Sequence, residues 1–169
     1  RIAAVATACP PHVLEQSEVI ERSREIFAPD IPGFDRFTDA YRNAAIETRH
    51  SCVPIDWYAQ SHPFSERNDL FIENAVDLLA EVTEKLFAEC GITAKDVDGL
   101  VVVSTTGVAT PSLDALLLER LPFRRDVQRL PIFGLGCGGG VTGLARAAQL
   151  AMTRPDSCVL FLVVELCGL

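Results

Sequence analysis

Apolar positions along this chain follow two different periods, and the alternation between them predicts the elements. Leu100-Val101-Val102-Val103 is continuously apolar and ends on Ser104, the pattern of a strand buried on both faces. Ile2 to Ala8 predicts a first strand stopped by Pro10-Pro11, Pro131 to Leu135 a later one, and Cys158 to Val164 a last buried strand. Helical spacing marks Gln16 to Phe27, with Ser17 as its cap and Pro29 as the stop, and a second helix from Phe34 to Asn43. The longest helix opens at Ser65. Its stripe runs Leu70, Phe71, Ala75, Val76, Leu79, Val82, Leu86, Phe87, and Gly91 stands just past its end. Thr93-Ala94-Lys95-Asp96 reads as a capped turn, Ser112 as the cap of a helix through Leu121, and Val141 to Leu150 as a helix of small and apolar residues. Ile46 to Pro54 alternates and is expected to be extended; Pro54 to Pro63 reads as a loop in which Trp57-Tyr58 anchors packing. Helices alternating with apolar strands, without internal repeats, predict a layered α/β domain whose strands are at least partly parallel.

Length and charge narrow the classes. With 169 residues the chain can bury one sizeable α/β core. It begins at Arg1 and stops directly after an apolar run, so it is expected to be a fragment of a longer protein. A net charge of −8, with Lys85 and Lys95 as the sole lysines, leaves no basic patch for nucleic acid. The arginines Arg120, Arg124, Arg125 and Arg129 read as a solvated loop and helix end. No apolar run reaches the roughly eighteen residues of a membrane span, and no signal peptide is visible. Cys9, Cys52, Cys90, Cys137, Cys158 and Cys167 are widely spaced, which supports neither a metal site nor a disulfide framework and fits a reducing cytoplasm. His12, His50 and His62 stand outside any motif, and His12 and His62, beside prolines, are expected in loops.

The candidate chemistry centres on Gly134-Leu135-Gly136-Cys137-Gly138-Gly139-Gly140, at the hinge between a strand-like and a helix-like run. A thiol there lies at a helix N-terminus, where unpaired N–H groups and the positive end of the dipole favour a thiolate. Glycines let the backbone turn sharply, approach a substrate and offer N–H groups to an oxyanion. A buried cysteine in a Gly-rich turn gives the same local pattern, so the neighbouring segments must decide. Two do: Thr105-Thr106-Gly107 and Glu165-Leu166-Cys167 also place small polar or thiol groups at strand ends, where active-site loops of α/β proteins gather.

On these segments the chain resembles the type III polyketide synthases, the family of chalcone and stilbene synthases. The resemblance runs from the first strand to Leu169 and rests on Val103-Ser104-Thr105-Thr106-Gly107-Val108-Ala109-Thr110-Pro111-Ser112-Leu113-Asp114, on Phe133 to Gly140 continuing through Gly143-Leu144-Ala145-Arg146-Ala147, and on Val164-Glu165-Leu166-Cys167. The wording, including Arg49 to Tyr58, is nearest to the bacterial branch that makes alkylresorcinols and alkylpyrones. The resemblance implies a thiolase-like layered fold, αβαβα in the full enzyme, with residues 1–169 as its N-terminal domain and the C-terminal domain absent.

It also implies roles. Cys137 falls on the acyl-accepting nucleophile, Thr105 and Thr106 on pocket-lining positions, and Thr110 on the residue that reaches across the homodimer into the partner's cavity. Cys167 falls on a further cavity position, where a small buried thiol is the alternative reading, and Glu165 on a buried carboxylate held by hydrogen bonds. The family's catalytic histidine and asparagine are expected beyond Leu169. Glu47 stands where a lysine for coenzyme A phosphates would be expected, leaving Arg42 and Arg49 as the candidates. The implied substrates are acyl-CoA and malonyl-CoA, with no bound cofactor and no metal. The 169 residues alone are expected to be inactive in condensation. A ketoacyl synthase of fatty-acid initiation, or a non-catalytic thiolase-fold fragment acting in assembly, are the competing readings.

Overall fold

The computed structural model describes residues 1–169, which form two compact units. The first comprises residues 1–8, 68–167 and 169; the second comprises 9–67 and 168, so the boundary falls within the first turns of one long helix.

In the first unit the sheet is parallel. Strand β3 (Gly99–Ser104) lies between β4 (Gln128–Phe133) and β5 (Val159–Val163), and pairs Ser104 with Phe133 and Val103 with Val163. All six residues of β3 are buried, as its unbroken apolar run requires of a central strand. Helix α5 (Gly139–Met152) covers one face; α4 (Leu113–Arg120) lies against β3 and β4. Close approach of α5 is possible because it presents glycines to the sheet: a Cβ on Gly139 would stand 2.8 Å from Val103 Cγ1. Helix α3 (Phe64–Cys90) buries Phe71, Ala75, Val76, Leu79 and Phe87 as its stripe predicts. It also buries Thr83, whose hydroxyl donates to the Leu79 carbonyl at 2.6 Å. Gly91 ends it at φ +67°, with Ile92 N–H donating back to the Phe87 carbonyl. At Thr93–Asp96, the Asp96 carboxylate accepts from both the N–H and the hydroxyl of Thr93, each at 2.8 Å.

The second unit is a β-ribbon with two short helices. Strand β1 (His12–Glu15) pairs antiparallel with β2 (Thr48–Ser51), α1 (Gln16–Phe27) packs beside β1, and α2 (Asp35–Asn43) packs against α1. Gln16 links the pieces: its amide donates to the Tyr41 carbonyl and accepts from Arg49 Nε. A 3₁₀ turn spans Ile55–Ala59, where Trp57 stacks on His62 at 3.8 Å and Tyr58 bonds Ser51 Oγ.

Four expectations need correction. Ile2–Ala8 pairs with no strand, and Ile2 and Val5 are 68% and 74% exposed; a short apolar run stopped by prolines predicts an extended chain, but a strand exists only with a ladder partner. His12 opens β1 rather than a loop, because the antiparallel pairing with Ser51 recruits it. The last strand is not buried throughout: Leu160 and Leu162 are buried, Val159 and Phe161 are half-buried and Val163 is exposed, because at the sheet edge it has β3 on one side only. Neither proposed cap holds, since α1 starts before Ser17 and the Ser112 side chain makes no capping bond.

Candidate functional site

Three strand ends of the first unit meet, and each carries polar groups. After β4 the chain passes Gly134 and Gly136, at φ +81° and +56°, and enters a 3₁₀ turn over Gly136–Gly138 that runs into α5. Cys137 sits in this turn and is exposed. The positive φ at Gly136 is open to glycine at little cost and costs an L-residue strain. Gly138 and Gly140 have nothing within 4 Å of where a Cβ would be, so the space beside the thiol is open.

After β3, Thr105 and Thr106 form a polar platform. Glu165 Oε2, at the end of β5, accepts from Thr105 N–H (3.1 Å), Thr106 N–H (3.0 Å) and Thr106 Oγ1 (2.8 Å). Thr106 Oγ1 in turn accepts from Leu166 N–H at 2.9 Å. Gly136 N–H donates to Thr105 Oγ1 at 3.1 Å, joining the nucleophile turn to the platform. One consequence limits the oxyanion expectation, because that N–H is already occupied. The hydrogen-bonded carboxylate expected at position 165 is present, but it is exposed rather than buried. Its position just past an edge strand accounts for this.

The loop continues under a second clamp that sequence reasoning missed. Asn68, on α3, donates through Nδ2 to the Val108 carbonyl (2.9 Å) and accepts from Val108 N–H at Oδ1 (2.8 Å). Phe71 fills the place where Gly107 lacks a Cβ, the nearest ring atom lying 2.0 Å from the ideal position. A signal was available, since Asn68 is a polar residue on the face that carries Phe64, Phe71 and Ala75. Thr110, joined to Pro111 by a cis peptide, is exposed, as is Cys167.

Cys137, Thr105, Thr106 and Glu165 are therefore linked through short hydrogen-bonded steps, with Cys167 one residue beyond Leu166. Thr110 lies further along the clamped loop. Arg42 and Arg49 belong to the second unit, where Arg42 pairs with Asp39 at 3.0 Å and Arg49 is held by Gln16. So do the histidines: His50 Nδ1 faces the Pro10 carbonyl, and His62 lies between Glu66 and the Trp57 carbonyl. The arginine cluster is more engaged than a solvated loop. Arg120 pairs with Asp77, Arg124 with Asp98 and Asp126, and Arg129 with buried Asp114. A cavity of about 10 Å³ lies where the strands begin, lined by Asp98, Gly99 and Arg154 among others.

Three of the other thiols, Cys52, Cys90 and Cys158, are less exposed than Cys137, whereas Cys9 and Cys167 are exposed like it. Burial pushes the thiols of Cys52 and Cys158 up from the ordinary cysteine value, with Asp98 adding to the effect at Cys158. All six cysteines are free.

Comparison with known proteins decides the family. The sequence profile of the chalcone and stilbene synthases, N-terminal domain, matches residues 1–169. The chain belongs to this family. Among relatives of this N-terminal domain, the 1,3,6,8-tetrahydroxynaphthalene synthase of Streptomyces peucetius is 41% identical over 170 residues, covering 99% of this chain and 45% of the relative. The crystal structure of the corresponding synthase from Streptomyces coelicolor, described as a bacterial type III polyketide synthase, superposes with a TM-score of 0.88 at 27% identity. It covers 97% of this chain and 48% of that one. The acylalkylpyrone synthase CsyB of Aspergillus oryzae, solved in complex with coenzyme A, gives a TM-score of 0.87 at 26% identity over 98% of this chain and 46% of its own. This N-terminal domain thus spans about half the length of the relatives it matches, and it shares their thiolase-like fold. No helix in it is long and apolar enough to cross a membrane.

Proposed function

We propose that this domain supplies the acyl-accepting half of a type III polyketide synthase, with Cys137 as the nucleophile. The observation that carries the reading is the exposed thiol on a glycine turn, tied to a Thr–Glu platform at three strand ends, in a domain of this family. The Cys137 thiolate attacks the carbonyl carbon of an acyl-CoA; the new C–S bond forms as the bond to coenzyme A breaks, and coenzyme A leaves as the free thiol after taking a proton. Malonyl-CoA then loses CO2, and the resulting enolate attacks the bound acyl carbonyl, releasing Cys137 and lengthening the chain by two carbons. The oxyanion of that step needs donors, which the family resemblance assigns to a histidine and an asparagine outside these 169 residues.

Thr105, Thr106 and Cys167 would line the acyl cavity, and Thr110 would shape that of the partner in a homodimer. Repeated extension and ring closure would yield an alkylresorcinol or alkylpyrone in the cytoplasm. The test is incubation of the intact natural protein with a series of acyl-CoAs and malonyl-CoA, with mass spectrometry of both products and the Cys137 peptide. An acyl adduct on Cys137 that disappears in Cys137→Ala is expected. Products formed by the alanine variant at the wild-type rate would overturn the reading.

A further inference from the structure

We propose that Thr105 is a positioning residue for Cys137, acting through the backbone of Gly136. The nucleophile turn leaves the sheet at Phe133, where the ladder with β3 ends. Beyond that point the hydrogen bond from Gly136 N–H to Thr105 Oγ1, at 3.1 Å, ties the turn to the rest of the unit. Gly136 directly precedes Cys137 and is at φ +56°, so the orientation of its peptide sets where the next residue's side chain emerges.

An anchor is useful only if it is itself fixed, and Thr105 is. Its own N–H is held by Glu165 at 3.1 Å, and its neighbour Thr106 is bound to Glu165 by N–H and hydroxyl and to Leu166 by the acceptor side of the same hydroxyl. Further along, Phe71 packs into the space at Gly107 and Asn68 brackets Val108. The platform is built at the ends of β3 and β5 and on α3, and its one hydrogen bond to the turn is made by a side-chain oxygen. Threonine suits that contact because β-branching restricts χ1 and keeps Oγ1 in place. Accepting from Gly136 also leaves the hydroxyl proton of Thr105 free to donate elsewhere.

This goes beyond pocket lining, and it rests on the proposed function only for calling Cys137 the nucleophile. The test uses the intact natural protein as wild type, Thr105→Ser, which keeps the acceptor, and Thr105→Val, which keeps the shape without it. Acyl transfer to Cys137 is expected to lose roughly two- to tenfold in kcat in the valine variant, the span of one net hydrogen bond, with KM little changed, and to be restored by serine. In amide exchange, Gly136 should be protected in wild type and serine variant despite its exposed position. A valine variant with wild-type kcat, a serine variant as impaired as valine, or a Gly136 amide exchanging as freely as an open peptide would each overturn the proposal. Should wild-type Cys137 accept no acyl group, the functional reading is what fails. The positioning role is then decided by Gly136 exchange and by iodoacetamide labelling of Cys137 relative to exposed Cys9, which valine should change at least about twofold and serine should not.

Discussion

A Cβ placed on Gly143 would stand 2.5 Å from Cγ2 of Val103, so helix α5 rests on the central strand through the missing side chain of a glycine. The same ideal Cβ would come within 2.7 Å of the Phe161 ring. Val103, buried in the central strand β3, has little room to yield, while Phe161 of β5 is half-buried. Ordinarily Gly→Ala inside a helix stabilises by about 0.5–1 kcal/mol. At Gly143 overpacking, worth about 1–3 kcal/mol, should reverse the sign. Gly140, on the same helix with nothing within 4 Å of its Cβ position, is the control. Chemical denaturation should find Gly143→Ala less stable and Gly140→Ala unchanged or more stable than wild type.

The thiols should separate by pH. Cys52 and Cys158 are pushed up by burial, so at a given pH they hold less thiolate than an exposed cysteine. Iodoacetamide should modify Cys137 and Cys9 first and reach those two only at more alkaline pH, as read by peptide mass. The linked stability has a definite sign. Unfolded thiols ionise near about 8.5 and the folded ones above it, so the contribution is intact below that value and lost as pH rises through the raised one. Denaturation midpoints of the wild type should therefore fall between about pH 8 and 10, less so in Cys158→Ala than in wild type.

Asp98 organises the start of the sheet. Its carboxylate accepts from Cys158 N–H at 2.9 Å and from Arg124 and Arg154 at 3.0 and 2.7 Å, and these contacts, the Cys158 bond foremost, hold it below the usual carboxylate range. A depressed carboxylate adds stability above its unfolded value, and that addition is lost as pH falls through the folded one. Asp98→Asn should be less stable than wild type at neutral pH. The gap should narrow in acid; a constant difference from pH 7 to about pH 2 would show that ionisation is not its origin.

Asp114 is fully buried in the first turn of α4, with Arg129 Nη1 at 3.2 Å and no well-formed hydrogen bond to either oxygen. Removing the cation leaves a charge stranded in the core, whereas neutralising the carboxylate leaves a surface-reaching arginine that water can solvate. Arg129→Leu should thus cost up to about 3 kcal/mol, and more than Asp114→Asn, by thermal or urea unfolding.

Cavity shape gives the last expectation, which rests on the proposed function. Each CH2 of an aliphatic starter buried by the site contributes up to about 0.8 kcal/mol, so kcat/KM should rise with chain length until the space is filled. Thr110→Phe or Cys167→Phe should shorten the preferred starter or reduce the number of extensions. A preference for an aromatic starter or for malonyl-CoA alone, untouched by either substitution, would rule out a long-chain substrate.

Local rules were enough for the features whose cause is local. The bounds of α1, the Gly91 stop of α3, the Thr93–Asp96 turn and the full burial of β3 all follow from spacing, capping and apolar runs within a few residues. The Cys137 turn was legible for the same reason, since a thiol among glycines between strand and helix patterns is a local arrangement. Pairing was not. Whether Ile2–Ala8 meets a ladder partner, or which strands become edges, depends on segments far away in sequence, and the local run of residue types is the same either way. The Glu165 cradle spans sixty residues to Thr105, and Asn68 reaches forty residues to Val108. A carboxylate or amide in the sequence declares what it can bond but not what the fold will bring to it. For that reason the residues of the candidate site were readable one by one, while the hydrogen bonds that join them belong to the tertiary structure.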